Sequence, residues 1–351
     1  MQENTTQNDQ NATLVQDENN HDIQHTAQVP GTPVSDDTPH LPGGWAELTW
    51  DQLLWTWKLL GSERPLHEAY IDMFQCYMQC HLDTTDQGVD PDSGELIYYF
   101  IADNYTLADD DGNPQPVRFS ITPADLYIMC QEDLKWMQED PYCIIELPTD
   151  TLDHGDLTWD VSVPNAETGR AEEQTVRFHV PEALINNITW QQYQLCQQLM
   201  QAMQQDDSFR SRFISHCLTP CTSRKYTTTG QVLYEYKYDP VVAEANIPFF
   251  EQHPMPGLAE VLIQLFQSSL KHYKTEFTHL FSSSGGGDGP DKSEFIQEIS
   301  TINSIVKWSN MFHTPEAVLE ANVPIIFDIL DKMQNEARQI EEMNAKMKRK
   351  H

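Results

Sequence analysis

Two stretches of this chain are diverged copies of one another, and that internal duplication limits the folds open to it more than any single residue does. Leu48-Thr49-Trp50-Asp51-Gln52-Leu53 reappears, 140 positions on, as Ile188-Thr189-Trp190-Gln191-Gln192-Tyr193. Downstream, Phe74-Gln75-Cys76 with Cys80 answers Phe213-Ile214-Ser215 with Cys217 and Cys221. Ser93-Gly94-Glu95-Leu96-Ile97-Tyr98 then answers Thr229-Gly230-Gln231-Val232-Leu233-Tyr234. The spacing drifts only by loop-sized amounts, so the copied object is a packing unit. Duplicating a packing unit builds a scaffold, because the second copy adds core without needing a second active site.

Thr49 followed by Gln52 predicts a helix start, since the hydroxyl satisfies a free backbone N–H while the glutamine reaches back to the cap; Thr189 and Gln192 repeat the pattern. Trp50, Leu53, Leu54, Trp57 and Leu60 share one side of that first helix, Trp55 falls on another, and a second helix is expected near 67–81. Each copy therefore reads as a helix pair followed by a hairpin. Strand patterns at 95–104 and 117–121 flank the turn Asp109-Asp110-Asp111-Gly112-Asn113, and patterns at 157–163 and 176–180 flank 165–173. The second strands read Val117-Arg118-Phe119 and Val176-Arg177-Phe178, alternating with period two. The pattern leaves open whether these two hairpins join one small sheet. Pro123 and Pro181 each stand where a helix should open.

Residues 1–42 are rich in Gln, Asn, Asp and Thr, hold no Lys or Arg, and show no apolar periodicity: the composition of a disordered acidic leader. Residues 43–250 hold the duplicated region, with units at about 45–121 and 157–240. From 254 to 351 the periodicity is helical throughout, interrupted by a Ser/Gly tether at 282–292. The expected fold class is α+β, predominantly helical, with a duplicated helix-pair and β-hairpin unit followed by a helical carboxy-terminal module.

The net charge of −33, from 54 acids against 21 bases, is carried unevenly; before Arg170 the bases are Lys58, Arg64, Arg118 and Lys135. Such a surface repels phosphates and anionic lipid, which disfavours nucleic acid and membranes as partners and favours basic proteins. The amino terminus shows neither the positive segment nor the apolar core of a secretory signal, and seven cysteines in a chain this long fit reduced thiols; the expected location is the cytoplasm.

Cys76-x3-Cys80-His81 and His216-Cys217-x3-Cys221 occupy equivalent places in the two copies. If the copies pack about a pseudo-twofold axis, Cys76, Cys80, Cys217 and Cys221 could converge on one zinc, although cysteines four apart on a helix also fit a shared buried face. No other cofactor is suggested. The Asp109–Gly112 run fails as a calcium loop, because Arg118 stands where a bidentate glutamate belongs. Asp83, Asp86, Asp90 and Asp92 read as solvated turns. His154, between Asp153 and Asp156, is the one imidazole set among carboxylates as in metal-dependent hydrolases. For partner binding, the candidates are Trp45 and Trp55 as an aromatic patch, and Lys346, Lys348, Arg349 and Lys350, a basic end that either complements a helix dipole or docks on an acidic surface or nucleic acid.

The opening Leu41-Pro42-Gly43-Gly44-Trp45-Ala46-Glu47-Leu48-Thr49 with Gln52-Leu53 resembles phage and prophage proteins of gut Bacteroidetes from tail-morphogenesis regions. So does the closing Ile302-Asn303-Ser304-Ile305-Val306 with Thr314-Pro315-Glu316-Ala317-Val318 and 325–330. Some of these look like tail assembly chaperones. The resemblance implies a non-enzymatic assembly or interaction protein that shields a long helical partner, such as a tape-measure protein, between amphipathic helices. A virion structural component, adaptor or connector, is the alternative, with a homo-oligomer to match; a hydrolase using His154 is another.

Overall fold

The computed structural model describes residues 41–60, 66–84, 88–89, 94, 96–108, 113–139, 144–148, 156–164, 171–229, 232–281 and 294–349. The polar leader before Leu41, the aspartate turn at 109–112, His154 and the Ser/Gly tether fall outside them.

Helix α1 (Trp50–Leu60) starts on the expected box: Gln52 N–H donates to Thr49 Oγ1 at 3.3 Å and Thr49 N–H donates to Gln52 Oε1 at 3.0 Å. It buries Trp50, Leu53, Leu54 and Leu59, while Leu60 is exposed. Helix α2 (Leu66–Tyr77) runs almost directly into β1 (Cys80–Leu82). β1 and β2 (Gly88–Val89) lie in turn along one side of β3 (Leu96–Ala108), and β4 (Pro114–Ile121) covers its other side; all pairings are antiparallel. Phe100 sits opposite Phe119 in that ladder, and both rings pack on Phe74 of α2. α3 (Pro123–Asp133) opens at Pro123 as expected, capped by Thr122, and α4 (Trp136–Glu139) follows.

The second sheet has the order β5 (Asp156–Pro164), β6 (Ala171–His179), β7 (Thr219–Tyr226), β8 (Val232–Tyr236), all antiparallel. Its helix pair, α5 (Trp190–Met203) and α6 (Arg210–Cys217), interrupts the chain between β6 and β7. The element order is the same after each copy of the motif: α1, α2, β1 and β3 in the first, α5, α6, β7 and β8 in the second. Two expectations are corrected. The hairpin β5–β6 precedes the second helix pair instead of following it; whether it joins β3–β4, which the sequence pattern leaves open, is answered by the strand order, since β3–β4 lies in the other sheet. Pro181 opens no α-helix: residues Ala183–Ile185 make a single 3-10 turn, with Leu184 and Ile185 at φ 55° and 51° in the left-handed region.

α7 (Pro240–Ala245) and α8 (Ile247–Gln252) return the chain to the second sheet, where Phe249 and Phe250 pack on Trp159 and Phe178. α9 (Leu258–Glu276), α10 (Thr278–Phe281), α11 (Glu294–Trp308), α12 (Pro315–Leu319) and α13 (Val323–Arg349) complete the described chain. The helices after 254 are not set apart from the duplicated region. Gly257 caps α9 at φ 87°, and a Cβ there would meet the Leu54 carbonyl oxygen of α1 at 2.2 Å, so the two segments touch through backbone. Phe327 of α13 lies against Trp190, Tyr193, Tyr273 and Phe277, which ties α5, α9 and α13 into one apolar core. Among the described residues no helix is long and apolar enough to cross a membrane.

Candidate functional site

A cleft of about 410 Å³ opens where β6, β8, the amino end of α5 and the α12–α13 junction meet, walled by His179, Tyr236, Lys237, Tyr238, Glu320 and Asn322. Its floor is built around Asp156, the first residue of β5 and a buried carboxylate. The ladder sets Asp156 opposite His179, and period two places Arg177 on the same face of β6. Asp156 accepts from Arg177 at 2.9 Å, from His179 Nδ1–H at 2.8 Å and from the Tyr236 hydroxyl. Charge-assisted donors on both carboxylate oxygens offset the cost of burying the charge. With Nδ1 held by the carboxylate, the other nitrogen of His179 lies 3.6 Å from Glu182, and its ring stacks on Tyr236. A carboxylate-oriented imidazole on a cleft wall is equipped to exchange a proton or hold a polar group.

The strained turn borders the same cleft through Glu182 and Asn187. It is held by burial of Ile185 and by Tyr273, whose hydroxyl donates to the Leu184 carbonyl at 2.6 Å. A β-branched residue at positive φ is costly, about 1–3 kcal/mol, and persists only where packing over-determines it. Behind the wall, the fully buried His216 joins Tyr238 at 2.8 Å and Glu244 at 2.9 Å. Burial pushes its pKa below the usual imidazole value, with the Glu244 contact opposing. The neutral ring then accepts from Tyr238 O–H at Nδ1 and donates from Nε2 to Glu244.

The thiols of the two copies do not converge, and among the described residues no group of three or more His, Cys, Asp or Glu side chains is placed to hold a metal ion. Each x3 spacing crosses a helix-to-strand junction instead of lying along one helix: Cys76 lies in the last turn of α2 and Cys80 begins β1, while Cys217 ends α6 and Cys221 lies in β7. The two pairs belong to different sheets, which is the physical reason they stay apart. Burial pushes the Cys76 thiol up to about 11 and the Cys80 thiol to about 12, helped by Asp51 and Asp103 respectively, so neither presents a thiolate at neutral pH. Cys217 meets Cys196 instead, sulfur to sulfur at 3.5 Å in the core.

Trp45 is not a surface residue. It is buried, stacked on Trp57 at 5.2 Å and edge-on to Trp136 at 4.9 Å. Trp55 is 39% exposed with the Lys58 ammonium 4.9 Å above its ring. Asp156, the carboxylate beside His154 in the sequence, is committed to Arg177, His179 and Tyr236. Lys346 and Lys348 are exposed on α13, Arg349 is its last residue, and Lys350 lies outside the described residues.

α13 has two halves. Val323, Ile326, Phe327 and Ile329 anchor the first in the core. From Gln339 to Lys348 every residue is exposed, all round the helix. Along this arm Ile340, Met343 and Met347, at 53, 55 and 58% exposure, recur at i, i+3 and i+7 and form one apolar stripe. A free helix this short is marginal in water; the packed half supplies its nucleus and leaves the stripe presented to solvent.

The Asp156–His179 floor and the arm's stripe escaped the sequence reading, though each left a signal. Arg177 and His179 flank Phe178 at period two, and the three apolar residues keep helical spacing after the core contacts end. No family model, curated protein or solved structure matches this chain.

Proposed function

We propose that this is a non-enzymatic assembly or interaction protein of a phage or mobile element, acting in the host cytoplasm as a tail assembly chaperone for a long helical partner such as a tape-measure protein. The observation that carries this is the α13 arm. A rigid helix rooted in a core, with an apolar stripe and no cover among the described residues, is a docking element, since helix-to-helix recognition uses anchors at i, i+3 and i+7. The high negative charge suits it too, because a soluble, self-repelling body keeps an aggregation-prone partner dispersed.

The test is affinity capture of the tagged full chain, and of a chain ending at Gln339, from phage-producing cells, with mass spectrometry of lysate and purified particles. Capture of a long helical protein by the full chain alone, with none of the chaperone in particles, is the expected result. Presence in finished particles would assign the protein to the virion as an adaptor or connector. Equal capture by both chains would remove the arm from the function.

A second reading, hydrolysis, is favoured by the Asp156–His179 pair on the cleft wall. There His179 would serve as general base. Activity of the purified protein on ester, amide or phosphoester probes, lost in His179→Ala and kept in a chain ending at Gln339, would establish it.

A further inference from the structure

We propose that Cys196 and Cys217 form a redox-controlled pin: a peroxide converts the two thiols to a disulfide that locks α5 to the end of α6.

Both copies tie their two helices together at one place, by different chemistry. Thr56 stands six residues after the first residue of α1, and Cys196 six after the first of α5. Tyr77 is the last residue of α2, and Cys217 the last of α6. In the first copy the pin is polar. The buried Thr56 hydroxyl donates to the Gln52 carbonyl at 2.6 Å, so the Tyr77 hydroxyl donates to Thr56 Oγ1, also at 2.6 Å. In the second copy the same two places hold thiols, both wholly buried, with their sulfurs 3.5 Å apart. A thiol pair is a weak hydrogen-bonding replacement for two hydroxyls, but it can become covalent. Two of the other described sulfurs have different neighbours: Cys130 donates to the Tyr70 carbonyl and Cys221 to the Ser223 carbonyl.

The reaction takes two steps. One sulfur, as thiolate, attacks a peroxide oxygen and becomes a sulfenic acid; the hydroxide released takes up the thiol's proton and leaves as water. The other sulfur then attacks the sulfenic sulfur, the S–S bond forms, and the sulfenic hydroxyl leaves with the second thiol's proton as another water. Two electrons pass from the sulfurs to hydrogen peroxide. The sulfurs, already in contact, close by about 1.5 Å to a bond of about 2.05 Å. Burial pushes the Cys217 thiol well above its ordinary range, with Cys196 beside it adding to the shift, so oxidation waits for local opening of the helix pair. The pin also bears on the cleft. His216, next to Cys217, holds Tyr238 of the cleft wall at 2.8 Å, and Gln192 of α5 donates to the carbonyls of His216 and Cys217.

The test is treatment of the folded full chain with one equivalent of hydrogen peroxide, alkylation of the remaining thiols in urea, and peptide mapping by mass spectrometry. Free thiols should fall from seven to five, and the peptides holding Cys196 and Cys217 should appear joined until dithiothreitol parts them. The urea midpoint of the oxidised chain should lie above that of the reduced chain, because the bond closes the loop 196–217 in the unfolded state, and dithiothreitol should reverse the rise. C196A and C217A, each measured alone, should show no oxidant-dependent rise. Circular dichroism identifies a variant that does not fold, and the peptide map of the unaltered chain needs neither variant. Three results each overturn the proposal. Both thiols are still alkylated after treatment; either sulfur is found as a sulfinic acid or joined to Cys143 or another thiol; or the Cys196–Cys217 bond forms only in urea or leaves the midpoint unmoved.

Discussion

Gln52 and Gln192 occupy the same place in the two copies and do different work. Gln52 completes a solvent-exposed capping box. Gln192 is fully buried and turns its amide to the carbonyls of His216 and Cys217, at 2.8 and 3.2 Å, satisfying the end of α6, while its Oε1 accepts no hydrogen bond. Removing one partner of a buried hydrogen bond orphans the other, so Gln192→Ala should cost about 1–3 kcal/mol in urea unfolding, whereas Gln52→Ala should cost about 0.5 kcal/mol. Equal costs would mean that the second glutamine is only a cap. His216 supplies a pH signature. Its folded pKa lies below the ordinary 6.5 because burial disfavours the imidazolium, so the unfolded chain takes up the proton first as pH falls. The stability it contributes is complete above pH 6.5 and is lost as pH drops through the folded pKa. The advantage of the wild type over His216→Asn should therefore shrink on acidification below that point; a gap independent of pH would show that the ring is not neutral in the fold.

At the level of elements, local chemistry was legible and adjacency was not. The Thr49 box, Pro123 and the apolar periods of α9 and α13 name their helices, because each signal is contained within a few residues. Which strand lies beside which is decided by long-range packing, so Val176-Arg177-Phe178 was readable as a strand but not as the neighbour of Thr219 and Pro220. The cysteine spacing misled for a related reason: a helix ends between the two thiols, a break that spacing alone does not reveal. Pro181 failed as a helix start because Leu184 and Ile185 take left-handed backbone to bury Ile185. Gly257 is the element-scale joint whose role only contact reveals. At φ 87°, with the Leu54 carbonyl where a Cβ would stand, Gly257→Ala must move α9 away from α1. A loss of about 1–3 kcal/mol is expected, seen as a lower urea midpoint with an unchanged slope; a neutral change would mean that α1 and α9 do not approach through backbone.

For the whole molecule, charge of one sign prevails, and salt measures its cost. The net charge of −33 makes the folded chain repel itself, so screening should raise its stability. The Debye length falls from about 30 Å at 0.01 M salt to about 8 Å at 0.15 M, shorter than most charge separations across a body this size. Over that range the melting temperature of the full chain should rise, because screening relieves repulsion among 54 acids more than it weakens their pairs with 21 bases. A melting temperature that falls with salt would mean that ion pairs such as Arg177–Asp156 outweigh the net repulsion.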